Sequence, residues 1–340
     1  MQRAFLIVVS LGFLFIITYT LFLTKPITEN KPSEEKKLNS RLILNNFFNL
    51  TIQKHSIFFL DTSFKRVIAI NPRASCALES AALYHPNRSI YYIYVIRNEY
   101  NTATTIEEKY LRTVLKEYKN VNVVYAKVPD LIKNTCIQEL FGKHLIETSS
   151  YFVEHFSDAF RLIVLMKFGG IYLDGDVIVM RSLNDLGLNF VGKESETVLG
   201  TAILAFEKGS YLLNALLKDF NINYDPKSWS GHGPLLLTKI IFRLVLALCN
   251  TTSNFSHNEC DYLKIFPENV LFPVSYHNWR HMFHQKYLNE ILEMTKESYL
   301  IHFWNKLTHG IILNVKSNAP YLILGKKNCP KTIFNLNKSF

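Results

Sequence analysis

Two carboxylates, Asp174 and Asp176, interrupt an otherwise apolar stretch, FGGIYLDGDVIVM (168–180), with one glycine between them. In a strand, residues i and i+2 share a face, so the pair would converge, with Gly175 permitting close backbone approach. Carboxylates that near repel and resist joint ionisation. A divalent cation removes that penalty, and oxygen ligands suit Mn2+ or Mg2+. Such a cation usually completes its shell with phosphate oxygens, so the pair points to a metal-bridged diphosphate. Asp-Gly-Asp is also ordinary turn chemistry, and a three-residue motif decides little alone.

Asp158 and Arg161 add context. They are three apart, on one helix face, among apolar neighbours Phe156, Phe160, Leu162 and Ile163. A carboxylate and a guanidinium on a partly buried face are costly unless they bind something. Their segment, Phe152–Gly170, reads as a helix stopped by two glycines, and it leads directly into the strand carrying Asp174.

The elements that must position these groups alternate. Strand patterns at Ser56–Leu60, Ser89–Ile96 and 120–128 are separated by helical patterns at Ala74–His85 and 104–118. That alternation predicts an α/β sheet with crossover connections. The turn Asp61-Thr62-Ser63 closes the first strand. Beyond the aspartates, 170–180 reads as one strand, 201–208 as another, and 210–222 and 233–249 as helices; Lys239, Arg243 and its length exclude the last as a membrane span.

The 340 residues, 48% of them apolar and 19% charged, specify a globular body, and the net charge of +10 would suit nucleic acid, a membrane surface or an anionic small molecule. Ala4–Leu23 carries no charge and is long enough to span a bilayer. It exceeds the apolar core of a cleaved signal peptide and ends in TLFLTKP, a poor cleavage site. It therefore reads as an uncleaved signal anchor (4–23) behind a cytosolic tail (1–3), followed by a Lys/Glu/Asn/Pro-rich stem (24–54) and a folded domain (55–340). The glycosylation acceptors Asn49, Asn87, Asn250, Asn254 and Asn337 all follow the span, which favours a luminal body and excludes nucleic acid as partner. In an oxidising lumen some of the cysteines should pair. Cys249 and Cys260 flank a polar loop and are a plausible local disulfide; the other connectivity is open.

SDAFRLIVLMKFGGIYLDGDVIVMRSL (157–183) resembles the core of the DXD-containing glycosyltransferases of family 32, in particular the lactosylceramide 4-α-galactosyltransferase and α-1,4-N-acetylglucosaminyltransferase group. FFLDTS, CALESAALYHPN, LAFEKGS, GHGPLLLTKI, HFWNK and NCP follow in that family's order. Gly175 stands where threonine is usual, and the 231–234 turn differs somewhat, which leaves the choice of sugar open. The resemblance implies a GT-A-type, Rossmann-like nucleotide-sugar-binding fold, Mn2+ (or Mg2+), a UDP-galactose or UDP-N-acetylgalactosamine donor, retention of configuration, and a single-pass type II Golgi membrane protein.

By position, Asp176 would bind the metal directly, and Asp174 would hold the ribose or sugar and reach the metal through water. Asp158 and Arg161 would contact the donor sugar, with Arg161 also meeting charge on the departing UDP. Asp61, Thr62 and Ser63 would line the uridine pocket, and His302 is the candidate third ligand. Gly231, His232, Gly233 and Trp304 are acceptor-side candidates. The expected acceptor is a galactose- or N-acetylgalactosamine-ended glycolipid. An α-1,4-N-acetylglucosaminyltransferase acting on glycoprotein O-glycans and a catalytically silent lectin-like or chaperone homologue are the alternatives. A homodimer or a partner membrane protein is left open.

Overall fold

Near-continuous apolar runs such as IFFLD and IYYIYVI suit strands covered on both faces. The computed structural model describes residues 44–64, 67–97, 105–107, 109–249 and 262–336, all within one packed unit, Arg41–Phe340. The expected anchor and tail lie outside the described residues, as do Asn250, Asn254, Asn337 and Cys260. Among the described residues no helix is long and apolar enough to cross a membrane.

The strands are β1 (Asn45–Asn46), β2 (Ile57–Asp61), β3 (Val67–Ala69), β4 (Ile90–Ile96), β5 (Thr105–Glu107), β6 (Val121–Lys127), β7 (Gly170–Leu173), β8 (Val177–Val179), β9 (Phe190–Lys193), β10 (Leu199–Phe206), β11 (Lys264–Phe266) and β12 (Leu300–His302). The principal helices are α1 (Pro72–Tyr84), α2 (Lys109–Glu117), α3 (Phe152–Phe168), α4 (Tyr211–Ile222) and α5 (Pro234–Cys249). The main sheet runs β1-β6-β4-β2-β7-β10-β9-β11. It is parallel from β1 to β7 and turns antiparallel at β10 and β9. The expected α/β class is therefore found. Neighbours β4 and β7 flank β2 and are reached in opposite directions, so the strand order reverses there. The crevice at the carboxyl ends of such strands is where α/β sheets bind ligands.

Two sequence expectations are corrected. The segment 104–118, expected as one helix, begins as β5 and pairs with β3 through Val67↔Thr105; a partner strand nearly forty residues away overrides local helix propensity. The single strand expected over 170–180 is two strands in different sheets. Asp174 N still donates to Ala202 O (2.8 Å), Val177 N then donates back to Asp174 O (3.4 Å), and β8 leaves to pair with β12. The packed body also begins earlier than residue 55. Phe47 is fully buried, with its ring 4.9 Å from Phe168 and 6.0 Å from Phe58.

Two apolar clusters among the described residues bear on the site. One lies where α3, α4 and α5 cover the main sheet, around Phe58, Phe156, Phe160, Tyr172 and Leu204. The other joins α1, β8 and β12 to the C-terminal segment, around Ile178, Phe283, Ile301, Phe303 and Tyr321. The C-terminal segment contains α6 (Asn305–Thr308), α7 (Pro320–Asn328) and α8 (Pro330–Phe334). A disulfide, Cys76–Cys329, ties it to α1. One turn along α1, fully buried Glu79 accepts from Lys331 N (2.8 Å), Thr332 N (2.7 Å) and Tyr118 OH (3.1 Å). The sequence had left this pairing open; Cys136 is exposed and has no disulfide partner among the described residues, and the expected partner of Cys249 lies outside them. Asn49 and Asn87 are both exposed. Gly170 sits at φ +107, and a Cβ there would come within 2.3 Å of Ser56 O, so this strand start admits only glycine.

His85 closes α1 against the segment that follows β8. Its Nδ1 lies 2.9 Å from Ala81 O, and its Nε2 accepts from Leu183 N at 2.8 Å. Burial pushes its pKa down to about 4. A histidine depressed from its usual 6.5 protonates more readily unfolded, so its contribution is complete above pH 6.5 and lost as pH falls towards 4. The expected result is a stability decline of roughly 3 kcal/mol across that window from this residue. Urea unfolding of wild type and His85→Asn at pH 7 and pH 4.5 measures it; equal pH slopes in the two proteins would contradict it.

Candidate active site

Asp174 and Asp176 occupy the turn just past β7, beside the end of β2, where the strand order reverses. Because β8 turns away to pair with β12, His302 comes opposite Val177 and its Nε2 lies 3.2 Å from Asp176 Oδ2. One ligand atom each from Asp174, Asp176 and His302 lie within 4.8 Å of one another. The turn, rather than a continuous strand, makes the aspartates converge. Gly175 is not required for close approach: a Cβ there would meet only Ala74 Cβ, at 3.8 Å.

The donor set fits a divalent cation. Burial pushes Asp176 up, but His302, the Asn305 N–H and Arg73 outweigh it and hold the carboxyl below its usual range. Burial likewise lowers His302, yet Asp176, Asp174 and Glu194 raise it above its usual value. The acidic cluster thus favours positive charge at this position. A metal ion supplies the same charge to two carboxylates and a neutral imidazole, the protonation states that ligation requires. The His302 Nδ1 is buried without a hydrogen-bond partner among the described residues.

Arg161, on α3, stands behind Asp174. It is 6% exposed. Its Nε donates to Ser157 O (3.1 Å), Nη1 to Thr201 O (2.8 Å) and Nη2 to Ser157 Oγ (2.8 Å). Nη1 also pairs with Asp174 (3.2 Å) and Nη2 with Asp158 (3.3 Å). Three of the five N–H donors of the guanidinium are thus hydrogen-bonded, and both carboxylates are ion-paired to it. Arg161 thus stands between Asp158 and Asp174 and pairs with both. Burial pushes Asp158 up to about 6, Arg161 opposing and Asp174 and Glu154 adding. A Cβ on Gly233 would fall 2.8 Å from Asp158 Oδ2, so this glycine lets the 231–234 turn lie against the carboxylate.

The other expected residues are dispersed around this centre. Asp61 ends β2 and accepts from Ser63 N (2.9 Å), while buried Thr62 donates to Val153 O (3.0 Å). His232 is 4% exposed. Its Nε2 faces the Asp225 backbone, and its ring stacks on Tyr224 at 4.6 Å. It borders the same small cavity as Asp158, Arg161, Thr201 and Gly233. Gly231 packs against Ser228. Trp304 takes a left-handed conformation (φ 52), donates to Val274 O (3.1 Å) and leans on His302 at 4.3 Å.

Sequence reasoning passed over two neighbours. Tyr172 donates to Asp174 Oδ1 at 2.5 Å and lies under the Arg161 guanidinium. Its position two residues before Asp174 on β7 was a usable signal. Glu194 is pushed up to about 7 by burial, His302 opposing and Asp174 adding; the β9–β10 hairpin brings it in, and nothing local marks it.

Comparison with known proteins agrees with this geometry. Residues 71–191 match the glycosyltransferase sugar-binding region containing the DXD motif, and 205–336 match the α-1,4-glycosyltransferase conserved region. A lactosylceramide 4-α-galactosyltransferase of Mus musculus is 31% identical over 278 residues, covering 82% of this chain and 75% of the relative. The chain belongs to the DXD-containing α-1,4-glycosyltransferase family. A lactosylceramide 4-α-galactosyltransferase of Rattus norvegicus is 28% identical, covering 97% of this chain and 90% of that one. An α-1,4-N-acetylglucosaminyltransferase of Homo sapiens is 24% identical, covering 85% and 83%. The first of this glycosyltransferase family's segments here carries Asp158, Arg161 and both aspartates of the motif, and the second carries His232, His302 and Trp304.

Proposed function

We propose that this family member is a Mn2+-dependent, retaining α-1,4-galactosyltransferase of GT-A type. It transfers galactose from UDP-galactose to a terminal galactose or N-acetylgalactosamine of a glycolipid, with UDP-N-acetylgalactosamine as the second donor choice. The body faces the Golgi lumen behind a single N-terminal anchor. The observation that carries the reading is the convergence of Asp174, Asp176 and His302 at the strand-order reversal. The names of the relatives support a galactose donor and a glycolipid acceptor.

Asp176, Asp174 and His302 would hold the cation, which when bound neutralises charge on the leaving diphosphate. The chain's own part is positioning. Arg161 and Tyr172 fix the Asp174 carboxylate from two sides. Asp158, held by Arg161 and Gly233, borders the donor-sugar side. The Asp61 turn at the end of β2 takes the uridine side. The acceptor hydroxyl enters on the face the diphosphate leaves and passes its proton to a phosphate oxygen, so configuration is retained.

The test is UDP release by the full-length protein with a panel of UDP-sugars, with and without β-linked galactose and N-acetylgalactosamine acceptors. Acceptor-dependent release with UDP-galactose, lost in chelator and restored by Mn2+, is expected. Acceptor-dependent release with UDP-N-acetylglucosamine alone would move the assignment to that transferase activity. Mn2+-dependent UDP binding without release for any pair would replace the enzyme by a silent binding homologue.

A further inference from the structure

Arg73 lies at the start of α1, is 8% exposed, and has no carboxylate within ion-pair distance among the described residues. A buried cation of this kind is costly, and its contacts indicate what it is kept for. Nη1 donates to Asn305 Oδ1 (3.0 Å) and Thr308 Oγ1 (2.7 Å), and Nη2 donates to Thr308 O (2.9 Å) and Ile311 O (3.2 Å). The guanidinium also stands over the rings of Phe283 and Tyr321, 5.5 and 5.8 Å from their centroids.

Every one of those hydrogen bonds lands on the turn that follows β12. The same turn grips Asp176 twice: Phe303 N donates to its backbone carbonyl (3.0 Å) and Asn305 N to its Oδ2 (2.5 Å). Thr308 Oγ1 ties the turn internally to Phe303 O (2.8 Å). His302 immediately precedes this turn. Trp304, between the two N–H donors, is held in a left-handed conformation, which is strained for a large side chain and needs support from outside the turn.

We infer that Arg73 is a positioning residue for the metal centre: by clamping 305–311 it sets where His302 and the Asn305 N–H meet Asp176. It touches neither metal nor substrate. Its fork reaches four acceptors spread over seven residues, which a lysine ammonium cannot reproduce. The inference rests on the metal-site reading above, and its test separates the two.

The test is Mn2+ binding to the full-length protein without donor, followed by the electron paramagnetic resonance signal of free Mn2+. Four proteins are compared: wild type, Arg73→Lys, Arg73→Gln, and Thr308→Val, which keeps the branched shape but removes Oγ1, one of the four acceptors that Arg73 uses. Wild type binds; each variant binds about tenfold or more weakly, the range typical of residues that orient ligands, with its circular dichroism unchanged. A purely electrostatic role predicts the reverse pattern, with Arg73→Lys like wild type and Arg73→Gln tighter, and that pattern overturns the inference. So does wild-type affinity in a folded Thr308→Val, which decides the matter if Arg73→Lys does not fold. Absence of Mn2+ binding by wild type would instead remove the metal-site reading.

Discussion

Asp176→Asn eliminates Mn2+ binding and lowers turnover on the order of a thousandfold or more, the scale of losing metal charge stabilisation at a departing diphosphate. The substitution keeps shape and size. It leaves one oxygen able to accept the Asn305 N–H and does not disturb Phe303 N, which bonds the backbone carbonyl. It removes the negative charge that faces His302 at 3.2 Å. The fold should persist while the ligand cluster fails, so unfolding temperature and UDP release must be measured together. Turnover within tenfold of wild type in Mn2+, at an unchanged melting temperature, would refute the assignment of Asp176.

Arg161→Met has the larger structural effect. The apolar side chain is similar in length but leaves Asp158 and Asp174 facing each other without a cation, and frees Ser157 and Thr201 acceptors inside the protein. Breaking a buried pair by removing one partner costs about 3–5 kcal/mol. The pH dependence identifies the cause. Asp158 already stands at about 6 with Arg161 opposing the rise; without that opposition it rises further. A carboxyl raised above its unfolded value gains stability as pH falls through the folded pKa. The deficit of Arg161→Met should therefore shrink between pH 7.5 and pH 5. Urea unfolding at the two values checks this, and a deficit independent of pH would assign the loss to packing alone.

Much of this was legible in the sequence where the signal is local. The α3 helix, the glycines that end it and the carboxylate pair beyond it occupy adjacent positions, and their order alone places Asp158, Arg161, Asp174 and Asp176 together. The turn that makes the aspartates converge was not legible. Apolar residues continue through Val177–Val179 whether β8 stays in the main sheet or leaves it for β12, and only tertiary pairing with a segment more than a hundred residues away decides. Arg73 escaped for the same reason: beside a helix start it resembles a solvated cation, and its partners lie more than two hundred residues on. The β5 strand was hidden by Glu and Lys spacing that suits a helix equally well until β3 supplies a ladder.

The Cys76–Cys329 bond spans 253 residues, and this has a bearing on biosynthesis. The two aspartates are translated well before His302, the turn that grips Asp176, and the cysteine that fastens the segment to α1. A growing chain thus carries an acidic pair with no imidazole beside it and no clamp around it. On the proposed reading, the metal centre is complete only once residues 300–336 have emerged and docked, which couples its completion to completion of the polypeptide. A chain interrupted before that segment holds both aspartates but lacks His302 and the turn that grips Asp176.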